Sequence, residues 1–173
     1  MALRDQVSSA SGSLTQDVQV HDFFPVRDDV RDAVSSHESN AEKTVMCFGT
    51  FDVLHPGHIA YLREAASYGS RLVVIVARDA TVLRIKGKVP LHTEEQRLRA
   101  VAARESIAVL GGVDDPYEVL SLFHPAVLCL GYDQRGFADG LAEALRERKL
   151  SPRVVRASAF HPERYKSSRM RLA

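Results

Sequence analysis

The sequence predicts an α/β protein, a single domain built on a Rossmann-like, doubly wound parallel sheet of five strands and preceded by an N-terminal extension. From residue 43 on, apolar runs of strand length alternate with segments whose apolar residues recur at helical spacing. The run Leu72–Val76 is apolar throughout, as is typical of a parallel strand covered on both faces. Glycine-containing polar motifs follow the ends of these runs, where doubly wound sheets bind ligands.

The elements are predicted in order along the chain. Thr93 and Gln96 form a capping box that opens one helix, and a short helical piece is expected before Lys86. Because helix-length segments separate successive strands, right-handed crossovers and a parallel sheet follow. The predicted strands are 45–48, 71–77, 106–110, 126–130 and 153–156, and the predicted helices lie near 57–68, 93–104, 116–123 and 138–149.

Residues 1–42 are interpreted as a mostly flexible extension, because serine-rich stretches lie at 8–13 and 35–40. One part of it, Val26–Val34, has an apolar stripe that could form a short helix and dock on the main domain or on a neighbouring subunit. The folded domain is then expected to span residues 43–173.

Composition narrows the classes of protein to consider. With 173 residues, 45% of them hydrophobic, the chain suffices for one well-buried core. The net charge of +1, from 23 basic and 22 acidic residues, gives no reason to expect nucleic acid or an anionic membrane as partner. No apolar stretch approaches the roughly 20 residues of a membrane span, so we expect a soluble, cytoplasmic protein. Cys47 and Cys129 lie in apolar runs and are interpreted as buried hydrophobic residues.

The segment between the first strand and the first helix, residues 49–58, reads GTFDVLHPGH. A helix N-terminus favours anions through its unpaired N–H groups and its dipole, so this segment is predicted to be a phosphate-binding loop. Pro56 suits a first helical turn, and Gly57 leaves room for a ligand near the backbone. His55 and His58 can both donate to the α-phosphate of a nucleotide while pyrophosphate leaves, which would be catalysis by positioning and charge stabilisation.

Two other interpretations of these histidines are weighed. A single histidine at a helix start is often a cap, and a histidine pair can bind metal. A catalytic zinc site normally has three protein ligands, and the sequence offers no obvious third one. The ten-residue context therefore favours the phosphate-binding interpretation.

Basic residues follow the second strand. Lys86 and Lys88, with a glycine between them, suit the β- and γ-phosphates as flexible point charges; the alternative is a solvated basic loop. Arg97 and Arg99 follow the capping box, and one of them is a candidate to face the nucleotide. The ordinary alternative for these arginines is a surface ion pair with a neighbouring glutamate.

Two further segments are candidate nucleotide contacts. Gly131 lets a planar base approach the backbone after the fourth strand, and Asp133 can hydrogen-bond a ribose or a base edge; a plain turn is the alternative. Near the end of the chain, Ser167, Ser168 and Arg169 combine hydroxyls and a cation before a helical turn, which indicates a second phosphate cradle rather than a disordered basic tail.

With these motifs in view, the chain resembles the cytidylyltransferase-like nucleotidyltransferase superfamily, whose GTFD and HxGH signatures stand here intact at residues 49–52 and 55–58. Within it, the chain is most similar to the archaeal-type FAD synthases, which transfer the AMP of ATP to FMN. The resemblance runs through GTFDVLHPGHIAYL, VIVARDATVLRIKGKVPLHTEEQR, AVLG and LCLGYDQ, most of residues 44–156.

The resemblance implies roles for individual residues. Gly49, Thr50 and Phe51 would contact the nucleotide near its phosphates, and Lys86 or Lys88 would neutralise phosphate charge. Asp52 matches the family's acidic position, which implies a place near the acceptor or the metal. Mg²⁺ accompanying the triphosphate is implied by the family and by the need to neutralise developing charge.

Three functional hypotheses follow. The leading one is an adenylyltransferase that makes FAD and pyrophosphate from ATP and FMN. The second is the same chemistry with CTP or ATP and glycerol phosphate, ethanolamine phosphate or a sugar phosphate. The third is a nucleotide-sensing module without turnover. A roomy pocket with aliphatic and aromatic lining would favour FMN, and a small cationic one the second hypothesis. A homodimer is expected because symmetric pairs are the commonest soluble assemblies.

Overall fold

A computed structural model describes residues 43–104 and 107–165 of the chain. The predicted N-terminal extension, residues 1–42, lies outside the described residues, and so do Ser167, Ser168 and Arg169. The expectations for these positions therefore remain predictions. No helix in the described part of the chain is long and apolar enough to cross a membrane.

Strands and helices alternate along the described chain. The strands are β1 (Thr44–Gly49), β2 (Arg71–Val76), β3 (Ala108–Leu110), β4 (Val127–Leu130) and β5 (Arg153–Arg156). The helices are α1 (Pro56–Ala66), α2 (Asp79–Lys86), α3 (Glu94–Ala102), α4 (Glu118–Phe123) and α5 (Arg135–Glu147).

All five strands join one parallel sheet in the order β3-β2-β1-β4-β5. The first strand, β1, is the central one. The chain then continues outward through β2 and β3, and crosses β1 to add β4 and β5 on the other side. The strand order therefore reverses at β1, beside which doubly wound sheets bind their ligands. The predicted fold class is confirmed.

The sheet is covered on both faces, because successive residues of a strand point to opposite sides. Val45 and Cys47 of β1 belong to the apolar layer that includes Leu62 of α1, whereas Met46 belongs to the opposite layer with Leu120 of α4. The strand residues among these are fully shielded from solvent. Such two-sided burial holds β1, and the loop that follows it, in a fixed position.

Helix boundaries follow local sequence signals where these are strong. The predicted capping box is present, with Thr93 and Gln96 bonded reciprocally at the start of α3. Helix α5 begins at Arg135, earlier than the predicted start near residue 138. Glycines at 136 and 140 weaken its helical pattern. A tertiary contact explains why glycine occupies position 140, since a Cβ there would lie 2.9 Å from the hydroxyl oxygen of Tyr117.

Candidate active site

The chain makes a strained turn at the end of β1. Phe51 has a φ of +52°, in the left-handed region, and its ring is 2% exposed, near the rings of His58 and Tyr61. Strain of this kind costs about 1–3 kcal/mol and persists where the surrounding packing enforces it. A Cβ on Gly49 would lie 2.6 Å from the Phe51 ring, so glycine is needed for this ring position.

The HPGH segment starts α1. His55 is the N-cap, and its Nδ1 accepts a hydrogen bond of 3.3 Å from the backbone N–H of His58. The two imidazoles stack with their centroids 3.8 Å apart and 18° between their planes. A Cβ on Gly57 would lie 3.0 Å from the His55 ring, so this position keeps space beside the imidazole. The capping interpretation thus holds for His55, and it is compatible with phosphate binding because the cap uses Nδ1.

The surroundings of the two imidazoles favour their neutral forms. Burial lowers the pKa of His55, and burial together with the neighbouring His55 lowers the pKa of His58 to about 4. Nδ1 of His58 is buried and has no hydrogen-bond partner among the described residues. At neutral pH the pair is therefore uncharged, and each ring still carries one N–H group.

Lys86 and Lys88, which were predicted to bind phosphate, lie near the β1 turn and the histidines. Nζ of Lys86, at the end of α2, donates a hydrogen bond of 2.8 Å to Oγ1 of Thr50. Gly87 then ends the helix with a φ of +67°, a conformation that glycine adopts without strain. Lys86 and Lys88 are both solvent-exposed and line the cleft that the histidines line.

Asp52 is buried at 5% exposure and is engaged by its own chain. Its carboxylate accepts hydrogen bonds from the backbone N–H groups of Leu91 and His92, at 2.8 and 2.9 Å. Nδ1 of His92 in turn lies 2.5 Å from the backbone carbonyl oxygen of Asp52. The acceptor-binding role expected for Asp52 stays a prediction. The observed contacts fasten the segment that carries Lys88 to the β1 turn.

Arg97 is buried at 1% exposure and does not line the cleft. Its guanidinium donates to the carbonyl oxygens of Thr50, Ala77 and His92, at 2.6, 2.8 and 3.1 Å, and to the Asp79 carboxylate at 2.6 Å. The alternative of a surface ion pair with a neighbouring glutamate is wrong for this arginine. Its side chain is buried, and its guanidinium N–H groups donate to acceptors inside the domain. Its assignment to nucleotide binding has no support in this geometry.

The turn between β4 and α5 contributes Gly131 and Asp133 to the cleft. Gln134 ties this turn to β1: its Nε2 donates to the carbonyl oxygen of Phe48 at 2.5 Å, and its Oε1 accepts from the N–H of Gly131 at 2.9 Å. Asp133 is exposed at this side of the cleft. The turn is thus held by hydrogen bonds while its acidic side chain stays accessible to a ligand.

Residues 157–165, which follow β5 and which we call the strap, complete the cleft. Ser158, Phe160 and Tyr165 line it. The Tyr165 ring lies 6.3 Å from the His55 ring at an interplanar angle of 19°, and the Phe160 ring lies 6.0 Å from that of Tyr165 at 17°. Sequence reasoning did not single out Ser158 and Phe160, because no local pattern marks an irregular segment that returns to the site through the fold.

The resulting cleft of about 520 Å³ opens at the carboxyl ends of the parallel strands. No group of three or more histidine, cysteine, aspartate or glutamate side chains could hold a metal ion within residues 43–104 and 107–165. The predicted site residues that line the cleft are Gly49, Thr50, Phe51, Asp52, His55, Gly57, His58, Lys86, Lys88, Gly131 and Asp133.

Comparison with known proteins shows the family of this chain. Residues 46–173 match the model of the cytidylyltransferase-like family. An FAD synthase from Methanothrix thermoacetophila is 45% identical over 128 residues, which cover 72% of this chain and 87% of that protein. An FAD synthase from Archaeoglobus fulgidus is 48% identical over 113 residues, covering 64% of this chain and 81% of that protein.

Solved structures show the same architecture. A lipopolysaccharide core biosynthesis protein from Thermoplasma volcanium superposes with a TM-score of 0.63 at 36% identity, covering 69% of this chain and 98% of that one. A pantoate–β-alanine ligase from Francisella tularensis has a TM-score of 0.61 at 12% identity, covering 83% of this chain and 70% of that one. The second similarity shows the fold alone.

Proposed function

Because this chain belongs to the cytidylyltransferase-like family, and to the FAD synthases within it, we propose that it transfers AMP from ATP to FMN, giving FAD and pyrophosphate. The observation that carries the choice of FMN, beside the relatives, is the size and lining of the cleft. At about 520 Å³ the cleft is roomy, and apolar side chains from α2 and α5 contribute to its wall. A small phosphorylated alcohol would leave most of that apolar wall exposed to water.

The cleft has two sides, separated by the β1 turn. Beyond β2 and β3 it is lined by Val82, Ile85 and Pro116 among others, and Ile85 is 48% exposed there. We assign this acceptor side to the flat, largely apolar ring system of FMN. Beyond β4 and β5, the turn with Asp133 and the strap form a nucleotide side, which we assign to ATP.

The reaction is a direct displacement at the α-phosphorus of ATP. An oxygen of the FMN phosphate attacks, the new P–O bond forms, and the bond to the oxygen bridging the α- and β-phosphates breaks. Its electron pair leaves with pyrophosphate. The attacking phosphate is already an anion, so the step needs no protein base, and the protein contributes by positioning and charge stabilisation.

The histidines are suited to stabilise the negative charge on the α-phosphate oxygens during this step. With Nδ1 of His55 accepting the bond from the His58 N–H, a neutral His55 carries its proton on Nε2 and can donate it to an α-phosphate oxygen. Donors that are fixed before the reaction stabilise the transition state without reorganisation. Lys86 and Lys88 supply the positive charge for the pyrophosphate that leaves.

Mg²⁺ enters, in this proposal, as part of the MgATP substrate, bound by phosphate oxygens. This fits the described residues, which offer cations to the phosphates and no carboxylate cluster for a resident metal. Removing divalent metal with EDTA should abolish turnover, and added MgCl₂ should restore it. Full turnover in excess EDTA would contradict this role.

A substrate screen tests the function. With ATP and FMN, the purified protein should release pyrophosphate and form FAD, which is separated by chromatography, and it should be slower with CTP. Glycerol phosphate, ethanolamine phosphate and a sugar phosphate serve as competing acceptors. Turnover with one of these and none with FMN would overturn the proposal, and no turnover with any pair would favour a nucleotide sensor.

The histidines give a second test. Replacing His55 or His58 by alanine should lower kcat by about 10²–10³-fold, the typical effect of removing one transition-state donor, with the KM for ATP changed much less. His124→Ala, at an exposed position outside the cleft, is the matched control. An equal loss of ATP affinity and rate would make the pair simple binding residues.

A further inference from the structure

We propose that Glu64 is a positioning residue that holds the strap over the nucleotide side of the cleft and thereby sets the affinity for ATP. The inference rests on the proposed function, because it concerns the donor of that reaction. Glu64 lies on α1, the helix that begins at the catalytic histidines. It does not line the cleft, so it would act through the strap.

Glu64 binds the first residues of the strap directly. Its Oε2 accepts a hydrogen bond of 3.0 Å from the backbone N–H of Ser158, and its Oε1 accepts one of 3.4 Å from the Ser158 hydroxyl. Tyr68, one turn further along the chain, donates its hydroxyl to the same Oε1 at 3.1 Å and so orients the carboxylate. Hydrogen bonds to an ionised acceptor are roughly twice as strong as neutral ones.

These contacts lie where the hydrogen-bonded pairing of β5 with β4 ends. The N–H of Ala157 donates to the carbonyl oxygen of Leu130 at 2.8 Å, which continues the β4–β5 pairing. The N–H of the next residue, Ser158, donates to the Glu64 carboxylate instead. Further on, the N–H groups of Arg164 and Tyr165 donate to the carbonyl oxygen of His161, so these bonds shape the strap internally.

The strap then reaches the histidines. Cβ of Tyr165 lies 3.4 Å from the position that a Cβ on Gly57 would occupy, and its ring lies parallel to that of His55. One helix therefore carries both the phosphate-binding histidines and the carboxylate that anchors the strap opposite them. Without that anchor, bound ATP has to order the strap itself, and this cost lowers its affinity.

The test is a steady-state comparison of Glu64→Ala, Glu64→Gln and the wild type. Glu64→Ala should raise the KM for ATP about tenfold, in line with losing a charge-assisted anchor, and leave the KM for FMN and kcat within twofold. Glu64→Gln keeps an acceptor for the Ser158 N–H, so its KM for ATP should rise less than threefold. Glu143→Ala on α5, where Glu143 is exposed and paired with Arg146, is the control and should match the wild type.

Three results would overturn the inference: an unchanged KM for ATP in Glu64→Ala, an equal rise in the KM for FMN, or a fall in kcat alone. If Glu64→Ala does not fold, Glu64→Gln is compared by amide hydrogen exchange at Ser158, which should be faster than in the wild type. Failure of the proposed function can be distinguished from failure of this inference. A wild type that is inactive with FMN still gives a dissociation constant for MgATP by calorimetry, and Glu64→Ala should raise it about tenfold.

Discussion

At the scale of single residues, the charge of His58 is fixed by what surrounds its ring. The Phe51 ring meets it edge-on at 5.3 Å, and the His55 ring stacks on it at 3.8 Å. An imidazolium in this place would lose its hydration and face a second imidazole. In the proposed function, the imidazoles therefore act as neutral donors, and the flexible lysines at the rim of the cleft supply the positive charge.

This neutral state predicts a pH-dependent stability. The folded-state pKa of His58 is about 4, below the ordinary value of 6.5, so between these values the unfolded chain binds a proton that the folded chain does not. Stability then rises with pH across this window and is lost on acidification, by about 2 kcal/mol from pH 7 to pH 5.

Urea unfolding at pH 7 and pH 5 measures the effect as the difference between the wild type and His58→Asn, in which this contribution is absent. His124→Asn, at an exposed left-handed helix end, is the control and should keep the wild-type dependence. Identical pH dependence of the wild type and His58→Asn would show that the folded protein does not hold His58 neutral.

Gly49 gives a second prediction at the residue scale. Gly49→Ala places a Cβ 2.6 Å from the Phe51 ring, so the ring or the strained turn must move. We expect a loss of about 1–3 kcal/mol, the usual cost of overpacking a core. Gly111→Ala is the matched control at another strand end, because its Cβ would meet atoms at 3.6 Å, an ordinary contact. Equal melting temperatures for the two variants would contradict the close-packing argument.

At the scale of elements, the site is held together by two buried side chains that bond its loops to one another. Arg97 on α3 joins the β1 turn, the end of β2 and the start of α2, and Asp52 fastens the segment between α2 and α3 to the same turn. Loops at the carboxyl ends of strands have few backbone partners of their own. These two buried charges supply the missing partners and so fix the distances between Thr50, Lys86 and Lys88.

The Arg97 network predicts a large effect on stability. Arg97→Met keeps much of the side-chain volume but leaves the Asp79 carboxylate and three carbonyl oxygens without their donor. The Asp79 carboxylate is 40% exposed and can be solvated, so the loss comes mainly from the unpaired carbonyl oxygens, and we expect it to be about 1–3 kcal/mol. Arg99→Met, two residues along the same helix and exposed, should cost little. Chemical unfolding of both variants measures the difference, and similar midpoints would show that Arg97 is dispensable for the fold.

At the scale of the whole molecule, the strand order decides where chemistry can take place. Since β1 is central and the winding reverses beside it, the carboxyl ends of β1, β2 and β4 open into one cleft with two sides. In the proposed function, one side binds FMN and the other ATP, with the β1 turn and the histidines between them. The proposed in-line displacement further requires the FMN phosphate to approach the α-phosphorus opposite the departing pyrophosphate.

The homodimer expected from the sequence remains a prediction at this scale. Closed two-fold pairs are the commonest assemblies of soluble proteins. Sedimentation equilibrium of the full chain should give the mass of two 19.1-kDa chains at micromolar concentration. A single-chain mass across the concentration range would exclude the dimer.

Local patterns were sufficient to predict much of the fold and to propose the centre of the site. The alternation of apolar strands with helix-period segments depends on backbone geometry, which acts over a few residues. The HPGH segment could be interpreted for the same reason, since a phosphate-binding loop is formed by consecutive residues at one helix start. Thr93 and Gln96 illustrate the same point, as a cap is complete within four residues.

The sequence by itself determined the class of fold, and it predicted a phosphate-binding turn and the chemistry that two histidines and two lysines can perform. Only the tertiary structure decided that Arg97 points inward, that Asp52 fastens a loop, and that the strap returns to the histidines with Glu64 as its anchor. The physical reason is distance along the chain. Ser158 and Glu64 are 94 residues apart, and a contact of that kind leaves no periodicity or spacing for a local pattern to carry.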